Sequence, residues 1–180
     1  MATVIPRLHD TGTDAGLLGK SNGQAYAPAM PVDVTTEIEI GRPRAEVAAF
    51  AADPDNATAW YEKIRSVEWR TQPPLAVGSR LAFVARFLGR RLAYTYEVRE
   101  HAPGERFVMS TAEGPFPMET TYAWADAPGG GTRMTLRNAG EPAGFSRLVA
   151  PLMAGAMRRA NRADLRRLKA LLEARGREGA

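Results

Sequence analysis

The chain closes on a run of helical periodicity too long for most small domains to bury. Between Ala143 and Ala174 apolar residues recur every three or four positions: Phe145, Leu148, Val149, Leu152, Met153, Ala156, Met157, Ala160, Leu165, Leu168, Leu171 and Leu172, with Asp164 in the same series. At about 1.5 Å per residue such a helix spans roughly 45 Å. A stripe of that length must lie across something equally wide. Pro151 is expected either to kink it or to mark its true start.

What precedes the helix reads mostly as strand. In VDVTTEIEI, Val32, Val34, Thr36, Ile38 and Ile40 alternate with polar residues, the pattern of a half-buried strand. Gly41 breaks it, and Pro43 suits the first turn of a helix, RPRAEVAAFAAD, with Val47, Phe50 and Ala51 on one face. Asp53-Pro54 stops that helix, and PDNATAWYE reads as a second, shorter one. Strands follow: IRSVEWRT, GSRLAFVARF, RRLAYTYEVRE, RFVMSTAE, PMETTYAWADA and TRMTLRN. The third and fourth predicted strands form a hairpin. A type II′ turn at Gly89-Arg90 would pair Phe87 with Leu92, Ala85 with Tyr94, Phe83 with Tyr96 and Leu81 with Val98. All of those pairs fall on one face.

Residue usage removes whole classes of chemistry. There is no cysteine, hence no disulfide, thiolate nucleophile or thiolate metal site. Only His9 and His101 are present, which argues against a multi-histidine metal site or a Ser-His-Asp triad; His101 falls in an expected exposed turn. No cofactor is expected. The net charge of +4 is uneven, with nine basic and three acidic residues from Pro142 onward. That basicity reads as the solvated face of one helix. Without interleaved aromatics it does not suggest nucleic acid, and contact with an anionic membrane surface or acidic partner is the lesser expectation. GLLGKS at 16–21 lacks the upstream glycine and strand of a phosphate loop. No run approaches the roughly 20 apolar residues of a membrane helix. The N-terminus carries no secretory pattern, so the expected compartment is the cytoplasm. The expected organisation is a flexible extension over 1–30, one domain over 31–176 and a disordered tail over 177–180.

The order β-α-α-β6-α resembles the START-like (SRPBCC) helix-grip superfamily, and more narrowly the polyketide cyclase/dehydrase and lipid-transport family. Pro43, Val47 to Phe50, Asp53-Pro54 and Trp60 carry the resemblance, with Gly78, Val98 to Glu100, Pro103, Gly131-Thr132-Arg133 and Leu168-Lys169. It implies an α+β fold in which a curved antiparallel sheet of about seven strands wraps the long C-terminal helix over an apolar cavity.

On that fold, the expected ligand-binding set is Trp60, Phe83, Tyr94, Tyr96, Met109, Phe116, Met118, Tyr122, Met134, Met153 and Met157. Methionine adapts to ligand shape and tyrosine adds a hydroxyl to an apolar wall. The inward polar groups are Tyr94, Tyr96, Thr111, Thr120, Tyr122 and Asn138, all neutral and with no evident base beside them. The first expectation is therefore a module that binds a small hydrophobic molecule, lipid- or polyketide-like. The second is a cyclase or dehydratase in which Tyr94, Tyr96 or Tyr122 polarises a carbonyl. The third is a protein-interaction module with no ligand; pairing of two copies is left open. Gly114-Pro-Phe-Pro-Met118 is expected to be a stiff corner between strands, with Phe116 either lidding the cavity mouth or capping a plain turn.

Overall fold

The computed structural model describes residues 32–87, 89–141 and 150–178. The N-terminal extension, Phe145, Leu148, Val149 and the last two residues lie outside that range. The element order is β1 (Val32–Ile40), α1 (Arg44–Ala52), a 3₁₀ turn (Pro54–Asn56), α2 (Ala57–Trp60), β2 (Ile64–Trp69), β3 (Arg80–Phe87), β4 (Arg90–Ala102), β5 (Arg106–Glu113), β6 (Met118–Ala127), a second 3₁₀ turn (Pro128–Gly130), β7 (Gly131–Gly140) and α3 (Ala150–Glu178).

Local chemistry explains the opening. Pro43 has φ −56°, already suited to the helix that follows it. At the far end Pro54 forces Asp53 into extended backbone, which stops α1. The Asp53 carboxylate then accepts the Asp55 N–H at 3.0 Å and the Asn56 amide at 3.2 Å, fixing the turn into α2.

All seven strands form one antiparallel sheet in the order β1-β7-β6-β5-β4-β3-β2. The first two strands thus sit at opposite edges, and α1 and α2 carry the chain between them. Register shifts at Ile64/Ser66, Thr95/Tyr96 and Val98/Glu100 are the kind of irregularity that lets a sheet curl. This is the expected α+β helix-grip fold.

The β3–β4 hairpin differs in register. Phe87 pairs with Arg90, Ala85 with Leu92, Phe83 with Tyr94 and Leu81 with Tyr96, a slip of two residues from the expected pairing. Gly89, at φ +76°, stands second in the two-residue connection rather than first. Because side chains alternate with period two, a two-residue slip leaves Leu81, Phe83, Ala85, Leu92, Tyr94 and Tyr96 on the intended face.

Helix α3 packs its apolar stripe into the concave face, where Leu165, Leu168 and Leu172 are fully buried with Val47, Trp60, Met134 and Leu136. Pro151 is the second residue of the described helix. The helix runs to Glu178, so Arg177 and Glu178 are helical instead of tail. Its C-terminal half is tied to the edge strand: Lys169 Nζ donates to the Glu39 carbonyl at 2.8 Å. The Glu173 carboxylate accepts the Gly41 N–H at 2.8 Å. The convex face carries exposed ion pairs such as Asp33–Arg137 and Glu97–Arg99, each worth about 0–1 kcal/mol. No described helix is long and apolar enough to cross a membrane.

Candidate functional site: the cavity under the C-terminal helix

A cavity of about 400 Å³ lies between the sheet and α3, within the size range of small-molecule sites. Its apolar wall comes from Phe83 on β3, Leu92 and Tyr94 on β4, Met109 on β5, Met118 on β6, and Met153, Met157 and Ala160 on α3. Phe116 completes the wall from the β5–β6 corner, edge-on to Tyr94 with ring centroids 5.8 Å apart.

That corner is the Gly-Pro-Phe-Pro stretch. Pro115 and Pro117 offer no N–H, so ladder bonding lapses there. The Thr111 hydroxyl steps in and accepts the Met118 N–H at 2.8 Å. Gly114 is required by its neighbour, because a Cβ there would run into the Tyr94 ring.

The rest of the lining is polar and gathers toward one end. Asp164 and Asn161 stand three residues apart on α3, hence on one face of the helix, and both are buried. Asp164 Oδ1 accepts the Glu62 N–H at 2.8 Å, which brings α3 against the segment just after α2. Tyr61, the residue before Glu62, lines the cavity, and its hydroxyl lies 2.6 Å from that of Tyr122. From the sheet side, Thr120 Oγ1 donates to Asn138 Oδ1 at 2.8 Å, and Asn138 Nδ2 donates to Asn161 Oδ1 at 3.1 Å. The Tyr96 hydroxyl is directed at Met118 Sδ, 3.9 Å away. The exposed cations Lys63 and Arg90 also border the cavity.

Burial sets the electrostatics. It raises the Asp164 carboxyl to about 6, with the nearby Glu62 carboxylate adding to the effect and the Glu62 amide opposing it. It pushes the Tyr94 phenol up to about 12, those of Tyr96 and Tyr122 higher still, and that of Tyr61 well above its ordinary value. The tyrosines are therefore neutral donors at any ordinary pH, while Asp164 titrates near neutrality.

Eight of the eleven expected residues line the cavity: Phe83, Tyr94, Tyr96, Met109, Phe116, Met118, Met153 and Met157. Trp60, Met134 and Tyr122 do not. Trp60, the last residue of α2, stacks on Tyr61 at 3.8 Å between centroids and is fully buried in the main core. Met134 is enclosed on β7 within the main core. Tyr122 stands behind the wall, reaching it only through Tyr61. The sequence showed no evident base beside the inward polar groups; the structure adds the Asp164 carboxyl to the cavity lining. The available signal was a pair of polar residues, Asn161 and Asp164, inside an otherwise apolar stripe.

A second hollow, of about 580 Å³, shares no lining residue with the first and runs between α1, the β2–β3 connection and the β4–β5 turn. Its walls are alanines and prolines with Trp69, Trp124 and His101. His101 is half-buried at the end of β4 and edge-on to Phe107, not exposed in a turn.

A sheet curled round a long helix over an apolar cavity defines the helix-grip class of protein. Within it, the chain belongs to the polyketide cyclase / dehydrase and lipid transport family, whose model matches residues 31–173. Among solved structures, TTHA0849 from Thermus thermophilus is 23% identical with a TM-score of 0.69, over 79% of this chain and 97% of that one. The Zhui aromatase/cyclase from Streptomyces sp. R1128 is 15% identical with a TM-score of 0.67, over 81% and 96%. A START superfamily protein from Mycobacterium smegmatis is 14% identical with a TM-score of 0.62, over 82% and 99%. Identities this low establish the shared fold alone. A comparison with curated proteins returns no match.

Proposed function

We propose that this protein binds a small, mostly apolar molecule in the cavity beneath α3. The observation that carries the proposal is an apolar wall drawn from four strands, the β5–β6 corner and α3, around about 400 Å³. A filled core would have closed that volume, since interiors pack with few voids larger than a water. Met109 and Met118 on the sheet, with Met153 and Met157 on α3, give a wall able to reshape round a ligand. Nile red, an apolar fluorophore, tests the proposal. Wild type should bind it with a rise in emission, and Ala160→Phe, which fills the cavity from α3, should bind it at least tenfold more weakly. Equal binding by both would sink the idea, as would no binding by wild type.

One observation favours a second reading, an enzyme of the cyclase or dehydratase kind. Asp164, poised near pH 6 beside the Tyr61–Tyr122 pair, supplies a base next to neutral phenol donors. In such a step the carboxylate would take a proton from carbon alpha to a carbonyl while a phenol stabilises the developing enolate oxygen. Turnover of a poly-β-ketone substrate that survives Asp164→Asn unchanged would count against it.

A further inference from the structure

The outer face of α3 carries a row of uncompensated charge. Arg158, Arg159, Arg162, Arg166 and Arg167 are all exposed, and none has an ion-pair partner among the described residues. Elsewhere Arg42, Arg80, Arg99, Arg106, Arg133 and Arg137 each meet a carboxylate. Between Ala150 and Leu172 the one acidic residue is Asp164, and it is buried. Arg162 stands four residues from both Arg158 and Arg166, so like charges are stacked one turn above another. No carboxylate of the described structure offsets that repulsion; an anion from outside would.

The row begins with an apolar residue. Leu152 is 73% exposed and, with Val77, is one of two large apolar side chains so placed among the described residues. By helical geometry Leu152, Arg158, Arg159, Arg162 and Arg166 fall within an arc of about 120° and span roughly 20 Å along the axis. That arc faces away from Met153, Asn161, Asp164, Leu165 and Leu168, which are buried. A straight edge bearing guanidinium groups and one protruding leucine suits a flat, anionic partner. Nucleic acid or an acidic protein would match the arginines and leave Leu152 in water. A lipid surface receives both, with phosphates at the guanidiniums and acyl chains at the leucine.

We infer that α3 is a docking edge for an anionic lipid surface, lying along the headgroups with Leu152 inserted at its N-terminal end. The guanidiniums meet lipid phosphates in the forked geometry that arginine favours. The inward face of the helix is already committed to the sheet and the cavity, so the contact is peripheral and crosses nothing. Its attraction decays within about 8 Å at physiological salt, which keeps it reversible. This surface does not depend on the cavity being occupied, and it stands apart from the binding reading above.

Co-sedimentation with vesicles tests it, using phosphatidylcholine alone and an equal mixture of phosphatidylcholine with phosphatidylglycerol. Wild type should partition onto the mixed vesicles and not onto phosphatidylcholine, and about 0.5 M salt should release it. Each arginine near such a surface is worth about fivefold in partitioning. Arg159→Gln with Arg166→Gln should therefore weaken it by at least about tenfold, and Leu152→Gln several-fold. Arg99→Gln with Arg133→Gln removes the same charge from the sheet and should change partitioning by less than about twofold. Thermal melting of each variant checks that the fold is intact. Equal losses in the two double variants would reduce the effect to net charge and overturn the inference. Wild-type partitioning by Leu152→Gln overturns it too, since an uninserted leucine leaves nothing to set lipid apart from other polyanions. So does capture of single-stranded DNA or polyglutamate through Arg159 and Arg166 with no vesicle binding, which would give the face to another partner.

Discussion

Asp164 on α3 accepts the backbone N–H of Glu62 at 2.8 Å, so a buried carboxyl ties α3 to the segment after α2 at the polar end of the cavity. It is 4% exposed and its carboxyl is raised to about 6. Above that pH the charge is held in a buried position.

The first prediction concerns stability against pH. In the unfolded chain Asp164 titrates near 3.8, and in the folded protein near 6. Between those values the folded state binds more protons, so this group makes stability fall as pH rises through that window. Above it the penalty is complete, on the order of 1–3 kcal/mol. Asp164→Asn keeps an acceptor for the Glu62 N–H and should remove the penalty. Urea unfolding should show the variant more stable than wild type at pH 8, with the advantage gone at pH 4. A constant offset across that range would assign the carboxyl no such role.

The second follows from the tyrosine pair. Tyr61→Phe strands the Tyr122 hydroxyl in a place where burial alone pushes its phenol well above the ordinary range. A loss of about 1–2 kcal/mol is expected. The double variant with Tyr122→Phe should recover part of that loss, because no hydroxyl is then stranded. Strict additivity in the double-mutant cycle would contradict the bond.

The third separates core from wall. Met134 is fully buried in the core, whereas Met157 borders the cavity. Met134→Ala should cost about 2–5 kcal/mol. Met157→Ala should cost under about 1 kcal/mol, since it enlarges a space already present. Thermal unfolding of the two variants ranks them directly, and comparable losses would mean that α3 packs without a cavity.

The fourth tests the β5–β6 corner. Phe116 is half-buried and leans edge-on to Tyr94 at the cavity wall. If it acts as a lid, Phe116→Ala should release Nile red several-fold faster in stopped flow, with a stability change within about 1 kcal/mol. Unchanged release leaves it a hairpin phenylalanine. Gly114→Ala, by displacing Tyr94, should disturb the same wall and weaken Nile red binding.

Much of this architecture was legible in the chain because it rests on local periodicity. Val32 to Ile40 alternate, and α3 repeats every three to four residues, so each element announced which face it would bury. The hairpin shows the limit of that legibility. Leu81, Phe83, Tyr94 and Tyr96 were assigned to the right face through a register two residues out, since alternation constrains parity and leaves the turn to choose among even slips. Inward-facing residues could be named for the same reason, but not sorted. Phe83 and Met109 became wall while Trp60 and Met134 became core, according to where α2 and α3 cross the sheet.

The amino-acid order by itself determined the succession of elements, the buried face of each, and the stop at Asp53-Pro54 and the proline corner at Pro115-Pro117, because these depend on neighbours within a few residues. Only the tertiary structure decided that Asp164, Asn161, Asn138, Thr120 and Tyr61 share one end of a cavity. They come from α3, β7, β6 and the segment after α2, which lie far apart along the chain. A carboxyl gains its raised pKa, and an amide its unmatched donor, only when distant segments remove the water that would otherwise have served them.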